Sequence, residues 1–191
     1  LIAYQATASI LVGAIGAMKG CSLRIVHQTC TPGATAAPVR LVDKIVGSLG
    51  LYNVNIANTL ATQDEFKSYP SFYRRHLTLI EHGLDVPSPK RSWAETRRHF
   101  AIPMTAPLLL NTGRLVAQKN QDVLIRALAA VPGAHLAIAG GGANEALYRS
   151  LACELGVDER LHLLGPLSSS DVADLYACSD LFVFPSTWET F

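Results

Sequence analysis

No pair among the four cysteines of this chain, at positions 21, 30, 153 and 178, has the C-x-x-C spacing of a zinc or redox site. They read as buried or inert thiols of a reducing compartment. An excess of one charge is also missing. The chain holds 16 Lys and Arg against 15 Asp and Glu, a net charge of +1, so the footprint of a general nucleic-acid binder is absent. The one short basic cluster, Lys90 and Arg91 followed by Arg97, Arg98 and His99, reads as a solvated face. Leu1 to Met18 carries no charged side chain, which raises a membrane span. Tyr4, Gln5, Thr7 and Ser9 interrupt that stretch, and no basic flank precedes it as in a signal peptide. It is read instead as a buried strand followed by a helix of small residues. There is no initiating Met, and the sequence stops directly after Pro185-Ser186-Thr187-Trp188-Glu189-Thr190-Phe191. The expectation is an internal fragment.

What is present is apolar and rhythmic. Hydrophobic residues make up 49% of the 191, a composition that packs rather than stays disordered. In the second half, Leu108 to Leu110 reads as a buried strand, and Leu136 to Ala139, Leu161 to Leu164 and Leu181 to Phe184 read as further strands. Between them lie helical patterns. One starts near Asn120, a candidate N-cap, with Val123, Leu124, Ala127, Leu128 and Val131 on its apolar side. A second carries Ala146, Leu147, Leu151 and Leu155, and Ser170 caps a third with Val172, Leu175 and Tyr176. The first half repeats the rhythm less sharply, with strands at 23–27, 54–57 and 77–80 and helices at 39–49 and from Asn58 or Thr59 to about Phe66. Strands alternating with helices of this length predict an α/β fold with doubly wound parallel sheets. Val86-Pro87-Ser88-Pro89-Lys90-Arg91-Ser92 reads as a linker, so two domains, 1–85 and 107–191, meet across residues 86–106.

Sites in such sheets gather at the carboxyl ends of strands. Gly113-Arg114 with Lys119-Asn120 sets two cations around a short loop that leads into a helix, chemistry suited to a diphosphate. Two surface cations on an ordinary loop is the other reading, and spacing alone leaves both open. Gly140-Gly141-Gly142 follows a strand and precedes a helix, but the pattern runs Gly-x-Gly-x-x-Glu and no acidic residue ends the next strand. The dinucleotide fingerprint is therefore incomplete. Glu189 stands just past a strand end, where a carboxylate could accept from sugar hydroxyls although a lone loop Glu is usually solvated, and His27 ends a strand, where a single His is more often structural than catalytic.

In order and spacing these pieces resemble the group 1 (family 4) retaining glycosyltransferases of the GT-B fold. The matching residues are Gly113-Arg114-Leu115 with Lys119-Asn120, Ile138 to Gly142, Leu164-Gly165, Asp171 to Tyr176, Ser179 to Ser186 and Trp188 to Phe191. Asn58-Thr59 and Ile80 to Asp85 resemble the family's first domain, with His82 in place of the usual Asn, a change read as one of turn residue more than of chemistry. The resemblance implies two Rossmann-like domains, each only partly present, so that the fragment alone should have little or no transferase activity. It implies transfer of a sugar from a nucleoside-diphosphate sugar to a hydroxyl acceptor with retained configuration, in polysaccharide or glycolipid synthesis.

The same resemblance assigns roles. Arg114 and Lys119 would hold the donor diphosphate. Glu189 would match the first Glu of a Glu-x7-Glu motif that contacts the donor sugar, its second Glu falling past the last residue. Leu167, beside Pro166, would face the base, Gly113 would belong to the donor-binding loop with Arg114, and Gly140 and Gly142 would let the chain approach the cleft closely. His27 would stand near the reacting sugar. No metal and no cofactor is implied. The location implied is cytoplasmic, with room for a peripheral membrane contact and a glycan or lipid-linked acceptor, although no basic amphipathic helix supports the contact. Two alternatives remain at this point: a nucleotide-sugar epimerase on the same fold, and a non-catalytic nucleotide-sugar-binding homologue.

Overall fold

The structure is a computed structural model that describes residues 1–187 and Glu189. The chain forms two compact units, Leu1–Leu84 and Asp85–Glu189. In the first, strands β1 (Ile2–Tyr4), β2 (Ile25–Gln28), β3 (Val54–Ala57) and β4 (Leu77–Leu79) form a parallel sheet in the order β1-β2-β3-β4. Helices α1 (Ala6–Met18), α2 (Ala37–Ser48), α3 (Leu60–Glu65) and α4 (Ser71–Arg74) lie in the connections. Each strand is added on the same side of the last, and right-handed crossovers then deliver the helices to one face. The core between sheet and helices is built on Ala3, Val26, Val46, Tyr52, Phe66, Tyr69 and Tyr73. A buried polar cluster lies within it. Asp43 accepts from the hydroxyls of Tyr52 and Tyr73, both at 2.8 Å, and Gln28 donates to the Tyr73 oxygen at 3.1 Å. On the opposite face of β1, Ile2 and Tyr4 are exposed, where the sequence reading expected a buried strand.

The second unit contains α5 (Trp93–His99), β5 (Leu108–Thr112), α6 (Gln121–Ala129), β6 (His135–Ala139), α7 (Glu145–Glu154), β7 (Leu161–Gly165), α8 (Ser169–Cys178) and β8 (Leu181–Phe182). Its strands are all parallel and run β7-β6-β5-β8. The chain therefore builds outward from β5 to β7, then returns across the sheet to add β8 on the other side of β5. This reversal makes the sheet doubly wound. Helices α6 and α7 pack together, as do α5 and α8. The alternation along β6 serves both faces: Leu136 and Ile138 join the core with Ile125, Leu128, Tyr148 and Leu151, while Ala137 and Ala139 join the core with Leu108, Leu110 and Leu175.

Several local expectations differ in detail. The linker span holds α5, opened by a reciprocal cap in which Glu95 N–H donates to Ser92 Oγ at 3.4 Å and Ser92 N–H donates to Glu95 Oε2 at 2.9 Å. The basic cluster is not one solvated face. Arg97 is 1% exposed, and Arg91 is held by Asp171 at 2.7 Å and Asp174 at 2.8 Å. The buried side of α6 is Gln121, Ile125 and Leu128, leaving Val123 and Val131 exposed. On α7, Leu147 is exposed and Tyr148 is buried in its stead. Ser168, not Ser170, caps α8 by accepting from Asp171 N–H at 3.2 Å. All four cysteines are free, with Cys178 buried and Cys153 exposed.

Candidate functional site

A doubly wound sheet opens a crevice at the carboxyl ends of the strands where the winding reverses. In the second unit that point lies between β5 and β8. The loop after β5 carries Gly113, Arg114 and Lys119, and the segment after β8 runs to Glu189, so the reversal sets them side by side. They are stitched together directly. Thr187 N–H donates to the Gln118 carbonyl at 3.0 Å, and Asn120 Nδ2 donates to the Pro185 carbonyl at 3.3 Å. Asn120 therefore does not cap α6 with its side chain as the sequence suggested. It adopts φ 52°, a left-handed conformation that Asn tolerates, and spends its amide on the β8 loop.

Lys119 Nζ meets Glu189 Oε1 at 2.5 Å, both side chains partly buried, and sits 5.0 Å from the centre of the Phe184 ring. Burial works to raise the Glu189 pKa, but the Lys119 bond, then Ser186, then the Lys119 charge together outweigh it and hold the carboxyl below its usual range. The Lys119 stem lies over Gly113, where a Cβ would come within 3.4 Å of it. Arg114 is exposed and makes no ion pair among the described residues. Trp188, Thr190 and Phe191 of the terminal motif lie outside the described residues.

Beside this loop lies an open cavity of about 630 Å³ lined by Thr112, Gly113, Arg114, Gly140 to Gly142, Pro166, Leu167 and Val172. Glycine is required at its floor for steric reasons. A Cβ on Gly140 would stand 2.0 Å from the Gly113 carbonyl oxygen, and one on Gly142 would stand 2.5 Å from that of Leu115. The loops after β5 and β6 thus run backbone on backbone, joined by Leu115 N–H to the Gly141 carbonyl at 3.0 Å. The structure brings Gly113, Arg114, Gly140, Gly142 and Leu167 to one cavity, and Lys119 with Glu189 to one ion pair at its margin.

His27 belongs to the first unit, at the carboxyl end of β2. Its ring stands 5.4 Å from that of Tyr4 and 5.5 Å from that of His82, and its Nε2 is buried with no hydrogen-bond partner among the described residues. Burial first, and the His82 charge second, lower its pKa. His82 lies within 3.3 Å of Asn58 Nδ2. It is thus more than a turn residue, since it stands against the His27 ring. Among the described residues no group of three or more His, Cys, Asp or Glu is placed to hold a metal.

Sequence reasoning missed Asn111, Gln121 and Tyr148. All three are buried, and Gln121 Nε2 donates to Asn111 Oδ1 at 3.2 Å. The available signal was polar: an Asn inside an apolar strand, and a Gln on the buried side of α6.

Residues 93–191 match the family described as glycosyl transferases group 1. Among curated proteins, the chain is 32% identical over 143 residues to a D-inositol 3-phosphate glycosyltransferase of Mycolicibacterium smegmatis, covering 71% of this chain and 33% of that protein. It is 32% identical over 139 residues to a GDP-mannose-dependent monoacylated alpha-(1-6)-phosphatidylinositol monomannoside mannosyltransferase of Corynebacterium glutamicum, covering 67% and 36%. Among solved structures, Anabaena HepE in complex with UDP and glucose superimposes with a TM-score of 0.82 at 23% identity, over 100% of this chain and 54% of that one. Sucrose-phosphate synthase from Thermosynechococcus elongatus gives 0.71 at 20% identity, over 99% and 50%. These likenesses show the GT-B fold, with its two Rossmann-like parallel-sheet units. The chain spans about a third of the length of these curated relatives and about half that of the solved structures.

Proposed function

The chain belongs to the group 1 glycosyl transferases, and on that premise we propose that it takes part in moving a sugar from a nucleoside-diphosphate sugar to a hydroxyl acceptor with retained anomeric configuration. The observation that carries this reading is the β5–β8 reversal, which sets Arg114, Lys119 and Glu189 around one crevice beside a glycine-floored cavity. In the reaction the bond from the anomeric carbon to the diphosphate oxygen breaks, the acceptor oxygen bonds to that carbon, and the proton of the acceptor hydroxyl leaves with the departing diphosphate. Arg114, exposed and with no ion pair among the described residues, holds phosphate oxygens, and Lys119 adds a point charge; together they stabilise the charge that develops on the leaving diphosphate. Glu189, kept ionised beside Lys119, accepts from donor-sugar hydroxyls. Leu167 borders the base, and the role assigned to His27 is that of a group near the reacting sugar, stabilising its oxocarbenium-like state or orienting a hydroxyl. No metal is needed, because the two cations supply the neutralising charge.

The names of the relatives support this donor class: one is GDP-mannose-dependent, and HepE was solved with UDP. The inositol 3-phosphate and the phosphatidylinositol monomannoside in their names favour a polar or lipid-linked hydroxyl acceptor, and the same reading puts the reaction in glycolipid or polysaccharide synthesis at the cytoplasmic side, with room for a peripheral membrane contact. No helix of the described residues is long and apolar enough to cross a membrane. The test is calorimetric titration of the intact protein with UDP-, GDP- and ADP-sugars, followed by NMR of the anomeric product. One nucleotide class should bind, at least tenfold more weakly to Arg114→Ala and Lys119→Ala (about 1.4 kcal/mol), and the product should keep the donor's configuration. Binding that is unaffected by both substitutions refutes the residue roles, and an inverted product refutes retention.

A further inference from the structure

Gln121, the first residue of α6, is 0% exposed and uses every hydrogen-bonding atom of its side chain. Its Nε2 donates to Asn111 Oδ1 at 3.2 Å and to the Arg114 carbonyl at 3.1 Å. Its Oε1 accepts from the Tyr148 hydroxyl at 3.1 Å. Tyr148 accepts in turn from Asn144 Nδ2 at 3.3 Å, and Asn111 Nδ2 donates to the Val183 carbonyl at 2.8 Å. The amide orientation is fixed, because reversing it would set its oxygen against the Arg114 carbonyl, which can only accept.

The partners of this amide reach three places. Arg114 is in the loop after β5, Asn144 ends the glycine loop and precedes α7, and Val183 directly follows β8 on the way to Glu189. Leu115, Ile125 and Leu128 form the surrounding apolar core. For stability alone, an apolar side chain of similar volume suits such a core, since replacing buried polar partners by apolar groups can be neutral. A polar group that bonds the Arg114 loop directly, the glycine loop through Tyr148 and the end of β8 through Asn111 does something an apolar one cannot: it fixes their relative positions.

We propose that Gln121 is a positioning residue for the donor diphosphate. It holds the Arg114 loop, the glycine loop and the end of β8 in one frame, so that the cations meet both phosphates in a single geometry. This rests on the donor site proposed above. Displacements of the order of an ångström in such a frame are costly to binding and catalysis.

The test uses two variants of the intact protein. Gln121→Met keeps the volume and removes the hydrogen bonds, and Tyr148→Phe removes only the hydroxyl that donates to Gln121. Calorimetry measures the dissociation constants of a nucleoside and of its diphosphate, for the base that the wild-type protein prefers, with the unfolding midpoint recorded alongside. Gln121→Met should bind the nucleoside as the wild type does, while the affinity gained on adding the diphosphate falls about tenfold. A merely structural role would weaken nucleoside and diphosphate alike. That pattern, or an unchanged diphosphate increment, overturns the inference and leaves the donor site standing. If Gln121→Met does not fold, Tyr148→Phe decides by the same two criteria, with a smaller loss expected. A wild-type protein that binds no nucleoside diphosphate overturns the donor-site reading and this inference together, and does so before any variant is made.

Discussion

Replacing Arg97 by Met removes a guanidinium that is 1% exposed and that ties α5 to the sheet of the second unit. Its Nη1 donates to the carbonyls of Pro103 and Ala106, both at 2.7 Å. Its Nη2 donates to the Cys178 carbonyl at 3.2 Å and to Asp180 Oδ2 at 3.1 Å, and the group stacks 4.5 Å from the Trp93 ring. The carboxylate partner is 58% exposed, so the ion pair itself contributes no more than about 1 kcal/mol. The three carbonyls matter more: the Cys178 bond is buried and the Pro103 and Ala106 bonds are partly buried, and a buried carbonyl left unpaired costs about 1–3 kcal/mol, reduced where water enters. The net loss should be about 3–5 kcal/mol, a large share of the stability of a domain this size. Asp180→Asn keeps an oxygen for the Leu108 N–H, now at 2.7 Å, and should cost about 1 kcal/mol. The assay is urea unfolding followed by Trp93 fluorescence in a Trp188→Phe background, comparing midpoints at constant slope. A loss below about 1 kcal/mol for Arg97→Met, or an equal loss for Asp180→Asn, would refute the assignment of the stabilisation to the buried carbonyl bonds.

Two further outcomes follow from the same geometry. Gly140→Ala meets the Gly113 carbonyl at 2.0 Å with φ at +147°, so it should destabilise the second unit by about 2–4 kcal/mol. Gly133→Ala, with φ at +77° and open space around it, should cost only about 1 kcal/mol, and equal losses in thermal melts would sink the steric argument. The His135 and His162 rings share a 3.0 Å contact from Nδ1 to Nε2 at the amino-terminal ends of β6 and β7. Burial lowers the pKa of both, helped at His135 by the Arg160 and Arg97 charges and at His162 by His135. The unfolded chain then binds more protons than the folded one below about pH 6.5. Stability is complete above that value and is lost as pH falls through the lower folded values. The unfolding midpoint should drop between pH 7 and 5, and His162→Gln should flatten the profile; an unchanged slope in that variant would show that other groups carry the effect.

Much of the fold was legible in the residues because its causes are local. Runs such as Leu108 to Leu110 and Leu136 to Ala139 are apolar over strand length, and Gly156 and Pro132-Gly133 stop helices. The alternation of strand and helix at this spacing allows little besides parallel βαβ units. Glycines and cations at strand ends marked the carboxyl edge as the place for chemistry. The amphipathic faces of α6 and α7 were read less well. Val123 and Leu147 are as apolar as their buried neighbours, and only the angle at which each helix meets the sheet selects between them.

The sequence by itself thus determined most of the elements, α4 and α5 excepted, their parallel sense and the residue types at the edge. Only the tertiary structure decided the strand order β7-β6-β5-β8, and with it the meeting of Lys119 with Glu189 across 70 residues. It also decided that Arg97 is a buried tie, that Asn120 bonds the β8 loop instead of capping α6, and that Gln121 joins three loops. The physical reason is common to all of these. Strand order and side-chain networks depend on which distant surfaces bury each other best, whereas periodicity and capping record only what a residue asks of its neighbours within a turn or two of chain.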